Sequence, residues 1–238
     1  MTVNITFTYA ENADLTQNFL DALLSLEYSE TKIISNATGN SNGDIIIFDT
    51  EQNSNGIVLN GTNSYANFEN TTATEFPLTY SITFKTNETS GVLFGDYTTK
   101  SALGFIEKRV VINLSPPGTE NRTKEYLLSE VLSTTEWNTF DVVYLSNTEQ
   151  KLYLNGVEIT KTTATGNYWV WGDSLSYIGT RPISAQYSTA YNFKGTVKRF
   201  MVYDKELTQE EIIHNYNASS SNIITDQLAI YYDFELKD

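Results

Sequence analysis

The chain has 238 residues and a formal net charge of −14 at pH 7, and a chain of this length can bury a sizeable core without disulfides or metals. It contains no cysteine, which excludes disulfide bridges, thiolate zinc sites and cysteine nucleophiles. The negative charge argues against nucleic-acid binding, which relies on cationic side chains that displace counterions. No apolar run reaches membrane-spanning length, and the N-terminus lacks the basic and apolar regions of a secretory signal, so we expect neither a membrane partner nor a signal peptide.

The first 33 residues differ in pattern from the rest. Alternating apolar residues up to Tyr9 predict a strand, and Asp14 precedes the apolar stripe of a short helix. We therefore predict a strand–helix appendage at 1–33 and a main domain at 34–238. The appendage either docks on a partner protein or covers the main domain's own sheet. The candidate docking residues are Phe7, Tyr9, Leu15, Phe19 and Leu23.

From about residue 44 onward, short apolar segments alternate with turns rich in Asn, Gly, Ser and Thr. Many closely spaced strands are typical of a β-sandwich or barrel. Asn155-Gly156 is the strongest hairpin signal in the chain. The predicted strands are Asp44–Phe48, Gly56–Leu59, Tyr80–Lys85, Gly91–Gly95, Val110–Leu114, Tyr126–Val131, Thr139–Leu145, Lys151–Leu154, Ser176–Ile178 and Gly195–Tyr203.

One further helix is predicted near the C-terminus. Thr208-Gln209-Glu210-Glu211 has the form of a capping box, in which Glu211 reaches back to the amide of the cap residue. Ile212, Ile213 and Tyr216 are the expected buried face of this helix.

Five segments between residues 34 and 217 together resemble one known family. They are the run Gly195–Thr208, the pair Trp137–Tyr144 and Lys151–Gly156, the triplet Tyr177-Ile178-Gly179, and the run Ile57–Tyr65. In this order the segments are similar to the closing strand and helix start, central hairpin, later strand and opening strand of laminin-G-like, concanavalin-A-like and pentraxin jelly rolls. The resemblance implies an all-β fold, a two-sheet antiparallel sandwich with loops gathered along one edge.

The chain departs from the family pattern in two places. Lys198 and Arg199 stand where the family often has an acidic pair. The family's first strand usually carries a Tyr-Tyr-x-Phe pattern at the N-terminus, whereas Tyr231-Tyr232-Asp233-Phe234 lies at the C-terminus here. We expect Leu228–Leu236 to fill the first-strand position from the other end, in the same chain or in a neighbouring subunit.

The residues needed for catalysis are sparse. His214 is the single histidine, and its position on the predicted helix favours a surface or half-buried role over that of a general base or metal ligand. Concanavalin-like glycoside hydrolases place carboxylates at alternate positions of one strand. Asp233 and Glu235 are the nearest approach to that pattern, and Tyr231 occupies its third position. We therefore predict that the protein is not an enzyme.

Calcium binding is the remaining cofactor question, because sandwiches related to this family bind calcium through loop oxygens. Asp96, Asp173 and Asn87 fall on predicted loops. No Asp-x-Asp cluster with calcium-loop spacing accompanies them. We therefore expect no tightly bound calcium and no other cofactor.

An aromatic segment is the best candidate for a ligand site. Within Tyr168–Asp173, Trp169 and Trp171 share one face of a strand and can stack on a sugar ring, while Asp173 binds its hydroxyls. Tyr187 and Tyr191 follow in the next loop. The alternative is that both tryptophans belong to the core or to a subunit contact.

Two functional hypotheses from different classes follow. The Asn/Thr-rich, cysteine-free composition and the docking-like appendage favour a virion surface protein, such as a bacteriophage capsid decoration, fibre or tail component. It would be homo-oligomeric or bound to other virion proteins, with possible contact to host glycans. The alternative is a bacterial carbohydrate-binding module or adhesin domain, located outside the cell or on its surface. Both rest mainly on fold-level analogy.

Overall fold

The computed structural model describes residues 31–34, 45–48, 51–70, 75–96, 102–114, 122–146, 149–160, 162–163, 174–180 and 192–235. All of them belong to the unit Thr31–Asp238. The candidate docking residues Phe7, Tyr9, Leu15, Phe19 and Leu23 lie outside the described residues. The appendage at 1–33 and the boundary at its end therefore stay predictions.

One of the two sheets has nine strands within the described residues, and each neighbouring pair is antiparallel. In spatial order the strands are β1 (Thr31–Ile34), β2 (Ile45–Phe48), β5 (Tyr65–Asn70), β15 (Ser174–Ile178), β7 (Ser90–Asp96), β8 (Ala102–Ile106), β9 (Arg109–Leu114), β10 (Arg122–Leu127) and β14 (Thr162–Thr163).

The other sheet has eight strands within the described residues and is likewise antiparallel. Seven of them form a row, and the eighth, β17 (Leu228–Asp233), pairs with one strand of that row, β16 (Lys194–Tyr203). In spatial order the row is β13 (Val157–Glu158), β12 (Gln150–Leu154), β11 (Asn138–Tyr144), β6 (Leu78–Lys85), β16 (Lys194–Tyr203), β4 (Gly56–Asn60) and β3 (Glu51–Asn53).

The C-terminal segment fills a strand position of its own chain. β4 pairs with Lys194–Val197 of β16, and β17 pairs with the following part of β16, from Arg199 to Tyr203. β17 and β4 therefore follow one another beside β16. The expectation that this segment completes the sheet is confirmed for pairing within one chain.

The core lies between the two sheets and is strongly aromatic. Phe94 of β7 stacks on Phe200 of β16 with ring centroids 5.0 Å apart, and Phe68 of β5 lies 5.5 Å from the same ring. Gly195 permits the close approach of β16 to β6, because a Cβ there would overlap the carbonyl oxygen of Lys85. The two-sheet antiparallel sandwich predicted from the sequence is confirmed.

The predicted capped helix is α1 (Gln209–Asn217), and both hydrogen bonds of the capping box are present at Thr208. The predicted buried face was only partly right. Ile212 is buried, whereas Ile213 and Tyr216 are 43% and 38% exposed. Asn215 takes the second inward position, because its amide donates to the Tyr203 hydroxyl and accepts from the Ile224 amide.

A predicted hairpin is confirmed, and a predicted strand differs in its bounds. Asn155 and Gly156 both have positive φ, 52° and 81°, as a type I′ hairpin between β12 and β13 requires. The predicted strand Tyr126–Val131 was wrong in its bounds, since β10 ends at Leu127. The last pair in register between β10 and β9 is Leu127 with Arg109, and Val131 lies outside the sheet and is 61% exposed.

Candidate functional site

The outer face of the nine-stranded sheet, which points away from the eight-stranded sheet, carries the candidate site. Ala66, Phe68 and Ile178 point into the core, so strand alternation places Tyr65, Asn67 and Tyr177 on the outer face. Asn67 and Tyr177 are direct cross-strand partners. We call Tyr65, Asn67 and Tyr177 the Tyr–Asn cluster.

The Tyr–Asn cluster combines aromatic surface with an amide. The rings of Tyr65 and Tyr177 have centroids 5.6 Å apart and planes tilted by 53°. All three side chains are half-buried, and burial raises the pKa of the Tyr65 hydroxyl, so it stays protonated at neutral pH. No described group donates to the buried Oδ1 of Asn67. The cluster can therefore offer ring faces, hydroxyls and an amide to one ligand.

Beyond the Tyr–Asn cluster, the described outer face is mostly apolar. Register places Val92, Gly104 and Val111 on it, followed by Glu125 of β10. The Glu125 carboxylate lies 3.9 Å from the Arg109 guanidinium, and both side chains are partly exposed. The face is thus aromatic at β5 and β15 and carries an ion pair near its far edge.

The predicted ligand residues lie in segments attached to the two ends of β15. Trp169, Trp171 and Asp173 precede Ser174, and Tyr187 and Tyr191 follow Thr180; all five lie outside the described residues. Their role in ligand binding stays a prediction. The Tyr–Asn cluster lies on the strands between these two attachment points.

The attachment point after β15 is well ordered by hydrogen bonds. Thr180 Oγ1 donates to Asn192 Oδ1 over 2.7 Å, and Asn192 Nδ2 donates to the Thr62 carbonyl over 2.8 Å. The amide of Phe193 bonds the Gly179 carbonyl. Thr180 and Asn192, the described residues on either side of 181–191, are therefore hydrogen-bonded to each other, and Asn192 is bonded to the turn before β5.

Sequence reasoning missed Tyr65 and Asn67. It assigned Tyr65 to the end of an opening strand and turn, whereas that residue begins the separate strand β5. The alternation of Tyr65 and Asn67 with the apolar residues Ala66 and Phe68 is a strand signal that could have found them. Their pairing with Tyr177 has no local signal.

Two of the three calcium candidates, Asp96 and Asn87, lie among the described residues. Asp96 ends β7, where it is in register with Ser176 of β15. Asn87 is exposed, and Asp173 lies outside the described residues. No group of three or more potential ligands from His, Cys, Asp and Glu occurs in the part of the chain that the structure describes.

The carboxylates and the histidine considered for catalysis have structural partners. Glu235 forms a 2.9 Å ion pair with Lys198, whose ammonium also lies 5.6 Å from the centroid of the Trp137 ring. Asp233 Oδ1 accepts the backbone amide of Glu235. His214 is exposed on α1, as predicted, and its Nε2 lies 2.8 Å from the Asn222 carbonyl.

A buried acidic residue lies on the opposite side of the sandwich, beneath α1. Asp141 of β11 is 1% exposed, and neither carboxylate oxygen makes a hydrogen bond of standard geometry with a described residue. Burial raises the pKa of Asp141 to about 7, while the nearby Ser81 hydroxyl and the charge of Arg199 lower it. Arg199 in turn donates to the carbonyls of Asn215 and Ala218 at the C-terminus of α1.

This second cluster is best explained as part of the protein's framework. The guanidinium of Arg199 satisfies helix carbonyls that would otherwise lack donors. Lys198 and Arg199, which replace the family's acidic pair, therefore hold β17 and α1 respectively. The cluster is covered by the helix, so we do not assign it to ligand binding.

The two antiparallel sheets and the closing strand with its capped helix are features of concanavalin A-like jelly rolls. The family model described as the concanavalin A-like lectin/glucanases superfamily, a laminin G-type model, matches residues 60–213. The chain belongs to this superfamily. No curated protein matches it.

Solved structures share the fold at low sequence identity. The heptameric SAP-like pentraxin of Limulus polyphemus is 13% identical, with a TM-score of 0.53 over 76% of this chain and 90% of the pentraxin. Domain 4 of the extracellular arabinanase AbnA from Geobacillus stearothermophilus, solved with arabinotriose, is 16% identical, with a TM-score of 0.53 over 77% of this chain and 86% of that domain.

A third similar structure is a toxin domain. The ligand-binding domain of botulinum neurotoxin serotype D, solved with N-acetylneuraminic acid, is 15% identical, with a TM-score of 0.53 over 79% of this chain and 46% of that chain. At these identities the likeness shows the fold alone. Among the residues described, no helix is long and apolar enough to cross a membrane.

Proposed function

We propose that this protein is a carbohydrate-binding domain that holds a sugar ring at the Tyr–Asn cluster without cleaving it. The observation that carries the proposal is the placement of two adjacent tyrosine rings and the Asn67 amide, whose oxygen has no donor among the described residues, on one outer sheet face. Aromatic rings bind the apolar face of a sugar, and convergent polar groups orient its hydroxyls.

The comparisons support carbohydrate binding better than the virion role. Both lectins and glucanases are named in the superfamily to which the chain belongs. Two of the similar structures were solved with saccharide ligands, arabinotriose and N-acetylneuraminic acid. A virion role draws no support from these comparisons, so we do not retain it.

The absence of catalysis is part of the proposal. A glycosidase of this fold needs an acid and a second carboxylate on opposite sides of the scissile bond. In the described part of the chain, Glu235 is paired with Lys198, and Glu125 with Arg109. Each of these carboxylates thus has a basic partner within its own chain.

The proposed place of action is outside the cell or on its surface, where polymeric glycans occur. The arabinanase to which domain 4 belongs is extracellular. Detection of the protein in the culture medium or at the surface of its native cell would support this location, and its confinement to the cell interior would contradict it.

The proposal is tested by glycan-array screening followed by calorimetric titration of the best oligosaccharide. We expect Tyr177→Ala and Asn67→Ala each to weaken binding at least tenfold, since each removes a direct contact. Tyr216→Ala is the matched control, because this partly exposed tyrosine lies on α1, away from the nine-stranded sheet. Its affinity should equal that of the wild type.

Two results would contradict the proposal. One is the absence of binding to any glycan at millimolar concentration. The other is binding that Tyr177→Ala and Asn67→Ala leave unchanged while their melting temperatures match the wild type. Release of reducing ends from a bound polysaccharide would contradict the non-catalytic part alone.

A further inference from the structure

Resting on the proposed function, we infer that the ligand is a neutral glycan and that the site disfavours sugars carrying a carboxylate. The two saccharides in the similar structures differ in this respect, since arabinotriose is neutral and N-acetylneuraminic acid is an acid. The fold therefore accommodates both classes of ligand, and charge distribution decides between them in this chain.

Five of the described cations are engaged with partners of their own chain. Lys151, Lys194, Lys198 and Lys205 form ion pairs of 2.7–3.0 Å with carboxylates. Arg199 is buried against helix carbonyls. The strongest partner for a sugar carboxylate is an available Arg or Lys, preferably a bidentate guanidinium. These five side chains do not supply one.

The outer face itself reinforces this conclusion. Arg109, the cation that the structure describes on this face, has a side chain that is 46% exposed, and its charge is offset by the Glu125 carboxylate at 3.9 Å. Lys124 of β10 points toward the interior and is buried, where its ammonium lies 3.4 Å from the Gln150 carbonyl. The described polar groups of the Tyr–Asn cluster are uncharged, as burial raises the pKa of Tyr65.

The charge of the whole chain acts in the same direction. A net charge of −14 at pH 7 produces a negative potential around the molecule. A carboxylated sugar must approach against this potential, and the potential is screened within about 10 Å at 0.1 M salt. Neutral sugars bear no such penalty. Discrimination should therefore weaken as the ionic strength rises.

The inference is tested with pairs of oligosaccharides that share a core and differ by one acidic sugar. We expect the neutral member to bind at least tenfold more tightly in 50 mM NaCl, and this ratio to shrink in 500 mM NaCl. A triple variant, Glu107→Gln, Glu130→Gln and Glu136→Gln, changes the net charge from −14 to −11 at exposed positions outside the Tyr–Asn cluster. It should shrink the ratio without altering affinity for the neutral member.

Equal or tighter binding of the acidic member in low salt would overturn this inference and leave the proposed function standing. A ratio that neither salt nor the triple variant changes would also overturn it, since the preference would then not arise from charge. Binding to no glycan of either kind would overturn the proposed function and this inference together.

Discussion

Tyr65 and Tyr177 lie 112 positions apart in sequence, yet their rings lie 5.6 Å apart on the outer face of the nine-stranded sheet. β5 and β15 are adjacent and antiparallel, so residues that alternate with the core residues of both strands meet on this face. The position of a sugar ring in the proposed site depends on this pair.

The first prediction separates ring stacking from hydroxyl bonding at Tyr177. Tyr177→Phe keeps the ring and should retain affinity within about threefold, whereas Tyr177→Leu removes the aromatic face and should lose most of the binding. Calorimetric titration measures the difference between the two variants. Equal affinities of the Phe and Leu variants would show that the ring is not the contact.

The second prediction concerns the pH dependence of stability at Asp141. Its pKa is raised from 3.8 to about 7 by burial, so the folded protein binds a proton that the unfolded chain releases above pH 4. Its stabilising contribution is therefore complete below about pH 4 and is lost as pH rises to 7. Asp141→Asn should gain stability relative to the wild type by a few kcal/mol between pH 4 and pH 7 and no more above pH 8.

Urea unfolding at pH 4, 5.5, 7 and 8.5 measures this difference. Glu130→Gln is the control, since it makes the same acid-to-amide change at an exposed position. A difference between Asp141→Asn and the wild type that stays constant from pH 4 to pH 8.5 would show that Asp141 titrates normally.

The third prediction contrasts the neighbouring residues Arg199 and Lys198. Arg199→Met removes two hydrogen bonds to helix carbonyls from a buried guanidinium and should destabilise the protein by about 2–4 kcal/mol. Lys198→Met removes a partly exposed ion pair and should cost below about 1 kcal/mol. Denaturant unfolding tests both, and equal losses would contradict the assignment of Arg199 as the residue that holds α1.

The fourth prediction concerns the start of α1. Thr208→Ala removes the hydroxyl that accepts the Glu211 amide and should cost about 1 kcal/mol. Thr208→Ser keeps that oxygen and should stay within a few tenths of the wild type. Thermal unfolding compares the two variants. If both lose the same stability, the cap hydrogen bond is not the source of the effect.

The sequence predicted the sandwich well because its signals are local. Alternation gave most strands, Asn155-Gly156 gave a hairpin, and the capping box gave α1. Short strands with weak apolar content, such as β3 (Glu51–Asn53), gave no such signal. The sheet order depends on contacts between distant segments, so only the family resemblance could suggest it.

The burial of individual residues on α1 and β11 could not be predicted from sequence periodicity. Ile213 is partly exposed and Asn215 is buried, because the amide of Asn215 satisfies groups on β16 and on the segment after the helix. Asp141 is buried because α1 and its neighbouring segment cover the outer face of β11. The Tyr–Asn cluster was missed because β5 and β15 are far apart in sequence and become neighbours only in the folded sheet.

The most direct test of carbohydrate binding at the Tyr–Asn cluster is NMR titration of tyrosine-ring-labelled protein with a neutral oligosaccharide selected from the array. Signals are assigned with Tyr65→Phe, Tyr177→Phe and Tyr216→Phe. We predict that the ring signals of Tyr65 and Tyr177 shift in a saturable manner while that of Tyr216 stays in place. Saturable binding that leaves both Tyr65 and Tyr177 unshifted would contradict the account.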